Sequence, residues 1–110
     1  MQQLTQRTFL TGATGTGAGP SIEFLHAEDC VVIMPVTSGG AASMTMVVEA
    51  LNPDGNNWHQ VATPAVYSTV GAQTAIIVWP VPGRAVRVRV SAYTNGTLDV
   101  KGYTATTERD

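Results

Sequence analysis

Short strand-like segments separated by turn-forming residues constrain this chain more than any other feature. From Pro20 onward, runs rich in Val, Ile, Thr and aromatic residues recur about every 8–14 residues, the spacing of a β-sandwich or β-barrel. Nowhere do apolar residues keep a helical 3.6-residue period over three turns. Short turns favour antiparallel pairing, and two packed layers are needed to cover the apolar faces of so many strands. We predict an all-β fold: a single β-sandwich of about eight antiparallel strands, with jelly-roll or immunoglobulin-like connections.

Two hairpins stand out in the strand pattern. The stretch from Met44 to Ala62 predicts one of them, in which Ala42–Leu51 pairs with Trp58–Ala62 across a turn rich in Asn, Pro, Asp and Gly. The second is predicted around Asn95-Gly96, because this pair tolerates the two positive φ angles of a tight hairpin turn. Before that turn, Ala85–Ala92 alternates valine with arginine, so its valines should point inward and its arginines outward.

Three further segments are predicted to be strands. Cys30–Val36 is almost continuously apolar, which indicates a strand that is buried on both faces or lies centrally, and that is ended by Pro35 and the Thr-Ser-Gly-Gly cluster. Val66–Val70 and Thr74–Trp79 are separated by Gly-Ala-Gln, which predicts another tight connection between paired strands.

The first 19 residues differ in composition from the rest. Residues 11–19 are mostly Gly, Thr and Ala, a flexible composition that disfavours a helix or a central strand. We predict a flexible N-terminal arm over 1–19 and the sandwich domain over 20–110. The arm should gain its order by packing on its own domain or on a neighbouring chain, with Phe9 and Leu10 as candidate partner contacts. Its glycine run resembles a dinucleotide-binding turn, but no helix follows it, as that motif requires.

Charge and cysteine content exclude several partner classes. Charged residues make up 13% of the chain and the net charge is −2, which argues against nucleic acid because phosphate binding needs a clustered positive field. No apolar run approaches the roughly 20 residues of a membrane span, and no secretion-signal pattern is seen. Cys30 stands alone in an apolar setting, which predicts a small buried hydrophobe and a fold that needs no disulfide.

No arrangement of residues in the sequence points to catalysis, a metal or a cofactor. His26 and His59 lie in no recognisable nucleophile motif, and no serine has the nucleophile-elbow setting. His26 with Glu28 and Asp29 lacks the spacing of a metal site. We therefore predict that the protein is not an enzyme and assign it no catalytic, metal-binding or cofactor-binding residue.

Polar and aromatic residues at two places leave alternatives open. Asp54, Asn57 and Trp58 form a candidate sugar or calcium site, since carbohydrate modules combine an aromatic platform with amide and carboxylate groups; the spacing of an EF-type calcium loop is absent. Alternatively, the turn only shapes the hairpin and Trp58 closes the core. The outward-facing Arg87 and Arg89 are candidate partner contacts. Alternatively, they pair with acidic residues on neighbouring strands, namely Glu49 and Asp99.

The order of several motifs resembles small β-sandwich proteins of tailed bacteriophage particles. The motifs are Val-Val-Glu-Ala-Leu-Asn-Pro-Asp-Gly-Asn-Asn-Trp-His-Gln-Val, then Trp-Pro-Val-Pro-Gly, then Val-Arg-Val-Arg-Val-Ser-Ala-Tyr-Thr-Asn-Gly-Thr-Leu-Asp-Val, within roughly residues 30–104. The resemblance implies a non-enzymatic virion protein, either a capsid decoration protein or a carbohydrate- or receptor-binding accessory module of a tail or head fibre. It also implies a homo-oligomer such as a trimer, contacts with the major capsid or another virion protein, and assembly in the host cytoplasm.

Overall fold

A computed structural model describes residues 2–23, 30–52, 54–79 and 85–107, which form one antiparallel sheet. Its nine strands are β1 (Gln2–Ala13), β2 (Gly17–Ala18), β3 (Ile22–Glu23), β4 (Cys30–Leu51), β5 (Trp58–Gln60), β6 (Ala65–Tyr67), β7 (Gly71–Ala72), β8 (Ile76–Val78) and β9 (Ala85–Thr107). The predicted all-β, antiparallel class is confirmed.

The sheet is organised around β4 and β9, which have 22 and 23 residues and pair with each other from end to end. The first three strands follow one another along the outer edge of β9. The four short strands β5 to β8 do the same along the outer edge of β4, in reverse direction. The sheet therefore consists of four long rows in the order 2–23, 85–107, 30–51 and 58–78.

The two central strands bend at glycines, and this bend gives the sheet its shape. The β4–β9 register breaks between Ser38 and Ser43, where Gly39 and Gly40 have φ angles of +82° and +94°. Opposite them, Gly96 has a φ of +101°. Residues other than glycine rarely adopt such φ angles, and a local bulge of this kind bends a strand. The sheet thus curls into a half-barrel.

The bend divides the sheet into two parts. We call residues 2–13, 30–38, 71–78 and 98–107 the first half-sheet, and residues 17–23, 43–51, 58–67 and 85–93 the second half-sheet. Their inner faces supply alternate residues to one hydrophobic core. Its most deeply buried members are Phe9, Val31, Ile33, Leu98 and Val100 from the first half-sheet, and Met46, Val48, Val86, Val88 and Val90 from the second.

The predicted hairpin around Asn95-Gly96 is wrong, and so is the predicted end of the Cys30–Val36 strand at Pro35 and the Thr-Ser-Gly-Gly cluster. Both positions lie inside continuous strands, so one curled sheet replaces the separate strands of the expected sandwich. Pro35 is fully buried, and its carbonyl oxygen accepts a hydrogen bond from Gln73 N at 2.9 Å. Since N–H and C=O of one strand residue point the same way, the missing proline N–H faces the gap between β7 and β8, where no ladder partner is lost.

The predicted pairing of Val66–Val70 with Thr74–Trp79 is also wrong. The strands of this region, β6 and β8, each pair with β4 instead. Polar side chains satisfy the backbone between them: Thr37 Oγ1 donates to the carbonyl oxygen of Thr69 at 2.6 Å, and Gln73 Nε2 donates to the same oxygen at 2.9 Å. The predicted hairpin Ala42–Leu51 with Trp58–Ala62 is confirmed, with Glu49–Leu51 paired to Trp58–Gln60.

Residues 2–13 belong to the sheet, so this part of the predicted arm gains its order by packing on its own domain, which is one of the two alternatives given above. They pair with β9 along most of their length. A register shift between Thr8 and Leu10 turns two successive side chains inward, so Phe9 is 0% exposed and Leu10 only 8%. The glycine run after them forms a corner in which Gly19 passes so close to the Phe9 carbonyl oxygen that a Cβ would collide with it. Gly19 therefore serves close packing, whereas Gly12, Gly15 and Gly17 have open space around them.

Candidate functional site

Two arginines and one glutamate form a charged cluster on the outer face of the second half-sheet. Because β9 alternates, its valines enter the core and Arg87 and Arg89 point outward beside Glu49 of β4. Their Nε atoms both approach Glu49 Oε1, at 2.9 Å for Arg87 and 3.2 Å for Arg89. The predicted pairing of these arginines with Glu49 is confirmed. Asp99 is not part of this cluster: its Oδ1 accepts a hydrogen bond from Gly12 N at 2.7 Å.

Burial and charge act in opposite directions on Glu49. Burial alone would raise the pKa of this carboxyl group, but the hydrogen bonds and positive charges of Arg89 and Arg87 outweigh it and lower the pKa below its usual value. The carboxylate is therefore ionised at neutral pH. Two guanidinium groups share one carboxylate, so the cluster carries a net positive charge.

Trp58 completes this cluster. The guanidinium carbon of Arg87 lies 4.2 Å from the centre of the indole ring, within the range of a cation–π contact. The ring is partly exposed, and Arg87 is held between it and Glu49. The sequence interpretation in which Trp58 closes the core is not what the structure shows, since the ring lies on the outer face.

The turn before Trp58 uses much of its polar capacity on its own backbone. Asn52 Oδ1 accepts hydrogen bonds from the backbone N–H groups of Asn56 and Asn57 at 3.1 and 3.2 Å, and Asp54 Oδ1 accepts one from Asn56 at 3.0 Å. Of the three residues of the candidate sugar site, Asp54 therefore stabilises the turn and Trp58 contacts Arg87. Asn57 is exposed beside them.

The other two candidate contact residues, Phe9 and Leu10, lie in the hydrophobic core. Their side chains present almost no surface to another chain, because the bulge in β1 turns both of them inward. We therefore treat them as residues that stabilise the fold and do not include them in any interface below.

Sequence reasoning missed an apolar surface on the outer face of the first half-sheet. Met34, Val36 and Ile77 are 41%, 43% and 67% exposed. Cross-strand pairing places Ile77 beside the partly exposed Val32, which extends the stripe along β4. The signal was the continuous apolar run Cys30–Val36, which we interpreted as a strand buried on both faces or lying centrally. It does lie centrally, between β9 and the short strands β5 to β8, but its outer face is exposed. The same pattern arises when one face is buried and the other is apolar but exposed.

A shallow depression of about 430 Å³ lies on this apolar surface. Met34 and Val36 line it from β4, Asp99 and Lys101 from β9, and Thr11 from β1. The two apolar residues are the cross-strand partners of the two charged ones: Met34 lies opposite Lys101, and Val36 opposite Asp99. The depression is therefore apolar on one strand, with one positive and one negative group on the next.

Reactive and metal-binding groups are sparse in the described part of the chain. Cys30 is partly buried, and this burial raises the pKa of its thiol. Within residues 2–23, 30–52, 54–79 and 85–107, no three His, Cys, Asp or Glu side chains come together as metal ligands. No helix among these residues is long and apolar enough to cross a membrane. The imagined ligands His26, Glu28 and Asp29 lie outside the described residues.

Known structures resemble this fold over nearly the whole chain. The SPBc2 prophage-derived protein YomS has a TM-score of 0.67 and 17% sequence identity, with 96% of each chain covered. A chain from the structure of infectious bursal disease virus, Gx strain, has a TM-score of 0.50 and 10% identity, with 96% of this chain and 31% of that chain covered. No protein-family model and no curated protein matches the sequence. At these identities the likeness establishes the fold.

Proposed function

We propose that this protein is a non-enzymatic structural component of a bacteriophage particle, which decorates and stabilises the capsid through protein–protein contacts. The observation that carries the proposal is the similarity to YomS, a prophage-derived protein, over 96% of both chains. The second similar structure comes from a virus. These likenesses support a place in the virion, with the major capsid protein or another virion protein as the partner.

The order of the four rows gives the proposal a second support. When each row is divided at its bend, the four segments of each half-sheet lie side by side and antiparallel. Numbered by their order along the chain, they follow one another across the sheet as 1, 4, 2 and 3. This is the order of a jelly roll, in which four long antiparallel rows fold over to make two facing layers. Jelly rolls are common in viral capsid domains. We infer that the half-barrel is a jelly roll whose layers stay joined through β4 and β9.

Arg87, Arg89 and Trp58 are the side chains that we assign to the contact with the capsid. Arginine and tryptophan are enriched among the residues that dominate binding energy at protein interfaces. Arg87 is held by both the Trp58 ring and Glu49, so little side-chain freedom is lost when a partner binds. The side chain of Arg89 is 37% exposed, and its guanidinium can reach an acidic group of the partner.

Reloading of depleted particles tests the proposal. Particles from a phage that lacks the gene are mixed with purified protein, and bound protein is quantified after sedimentation. Wild-type protein should rebind and raise the temperature at which the particles release their DNA. Arg89→Glu should rebind at least roughly tenfold more weakly, since charge complementarity at the contact is reversed. Arg7→Glu, on the first half-sheet, is the matched control and should bind normally. Failure of the wild-type protein to rebind would contradict the decorating role.

A further inference from the structure

We propose that the apolar outer face of the first half-sheet binds a second copy of this chain, around a two-fold axis that crosses the strands between Met34 and Val36. Exposed apolar surfaces of this kind mark interaction sites. The occupant is indicated by the charges that flank the surface. This contact lies on the opposite half-sheet from Arg87 and Arg89 and does not depend on the virion role.

The positions of Asp99 and Lys101 make the surface self-complementary. A two-fold interface brings the same surface patch of both copies together, so every group must meet its complement in an identical patch. Asp99 and Lys101 are two residues apart on β9 and point to the same face. The two-fold axis lies in the contact plane, perpendicular to the strands, and passes midway between Asp99 and Lys101. It therefore places Lys101 of each copy over Asp99 of the other. Two crossed ion pairs result.

The same axis also matches the apolar residues. Met34 and Val36 are the direct cross-strand partners of Lys101 and Asp99. The axis that passes midway between Asp99 and Lys101 therefore also passes midway between Met34 and Val36. Met34 of each copy therefore packs against Val36 of its partner, at the spacing of about 10 Å that is usual for sheets packed face to face. No separate adjustment of the apolar and the charged contacts is needed.

Asp99 and Lys101 have the capacity for these pairs. Among the described residues, ion pairs join Glu49 to Arg87 and Arg89, and neither Asp99 nor Lys101 takes part in one. Asp99 uses Oδ1 for Gly12 N, but an ionised carboxylate accepts several hydrogen bonds. The depression between Met34, Val36 and Asp99 offers room for the long lysine side chain of the second copy.

Sedimentation equilibrium of the purified protein tests this interface. At about 100 μM, a concentration at which even a small interface of micromolar affinity is filled, the wild type should have twice the 11.6 kDa mass of the chain. Val36→Glu should be monomeric, because it places two buried carboxylates at the contact. Val66→Glu is the matched control: Val66 is 74% exposed on the second half-sheet, and its variant should remain dimeric.

Charge variants separate this interface from any other dimer. Lys101→Asp places two aspartates of each copy against two of its partner and should weaken dimerisation roughly tenfold or more. Adding Asp99→Lys to it restores the crossed pairs and should restore the dimer. Circular dichroism checks that each variant is folded. A monomeric wild type, a dimeric Val36→Glu variant, or a double variant no tighter than Lys101→Asp would each overturn the proposal.

Discussion

The Phe9→Ala substitution tests whether β1 is a strand of the core or an arm that is ordered only by a partner. Phe9 is 0% exposed, and its ring lies against Gly102, where a Cβ would come within 3.2 Å of Phe9 Cε2. Gly102 has no side chain that could fill the cavity, so the free energy of unfolding should fall by the usual amount for a buried Phe→Ala change, about 3–5 kcal/mol. For a chain of this size, a total stability of about 5–15 kcal/mol is typical.

The measurement is urea unfolding of the isolated protein, together with its thermal midpoint. The midpoint should fall by roughly 12–20 °C. Leu4→Ala is the matched control: Leu4 lies in the same strand but is 65% exposed, and its loss should change stability by about 0.5 kcal/mol or less. Equal, small effects of both substitutions would refute the assignment of β1 to the core and restore the flexible arm.

Four further predictions concern single side chains. Glu49→Gln should lower the free energy of unfolding by about 1–2 kcal/mol at neutral pH, measured by urea unfolding; this value is discounted because Arg89 is partly exposed. Since the pKa of Glu49 is lowered in the folded protein, the difference from wild type should vanish as the pH falls through that pKa, and a pH-independent difference would contradict the ion pairs. Gly102→Ala should destabilise by about 3 kcal/mol or more because its Cβ would collide with the Val32 carbonyl oxygen, whereas Gly15→Ala, in open space, should be nearly neutral; equal midpoints would contradict this packing. Tyr67 is buried and its pKa is raised to about 12, so stability should decline between about pH 10 and 12 and this decline should disappear in Tyr67→Phe. Trp58→Ala should lower stability by about 1–2 kcal/mol through the lost contact with Arg87, and the wild type should bind nothing on a glycan array; glycan binding that is lost in the variant would favour the carbohydrate module instead.

Local alternation predicted the β class and the faces of the best-defined strand. In Ala85–Ala92 the valines are buried and the arginines face outward, because successive side chains of a strand point to opposite faces and the two residue types alternate. The hairpin closed by Asn52–Asn57 was predictable for the same reason: the turn residues and the flanking strands indicate the same structure. Such segments carry their own signal and need no information from distant parts of the chain.

The long strands were not predictable in this way, because distant partners decide them. Asn95-Gly96 has the composition of a hairpin turn, but its positive φ at Gly96 serves a bend opposite Gly39 and Gly40. Likewise, the polar composition of Gln2–Ala13 concealed a strand that β9 holds in place. The exposed apolar face was missed because a continuous apolar run such as Cys30–Val36 does not say whether both faces are covered.

The composition of purified phage particles is the sharpest test of the proposed place in the virion. Under this proposal, particles of a phage whose genome carries the gene for this chain are purified on a density gradient, washed at high salt, and analysed by quantitative mass spectrometry. A structural component of the capsid should be present at a constant ratio to the major capsid protein across the particle peak. Absence of the protein from these particles, while it accumulates in the same infected cells, would contradict a structural role in the particle.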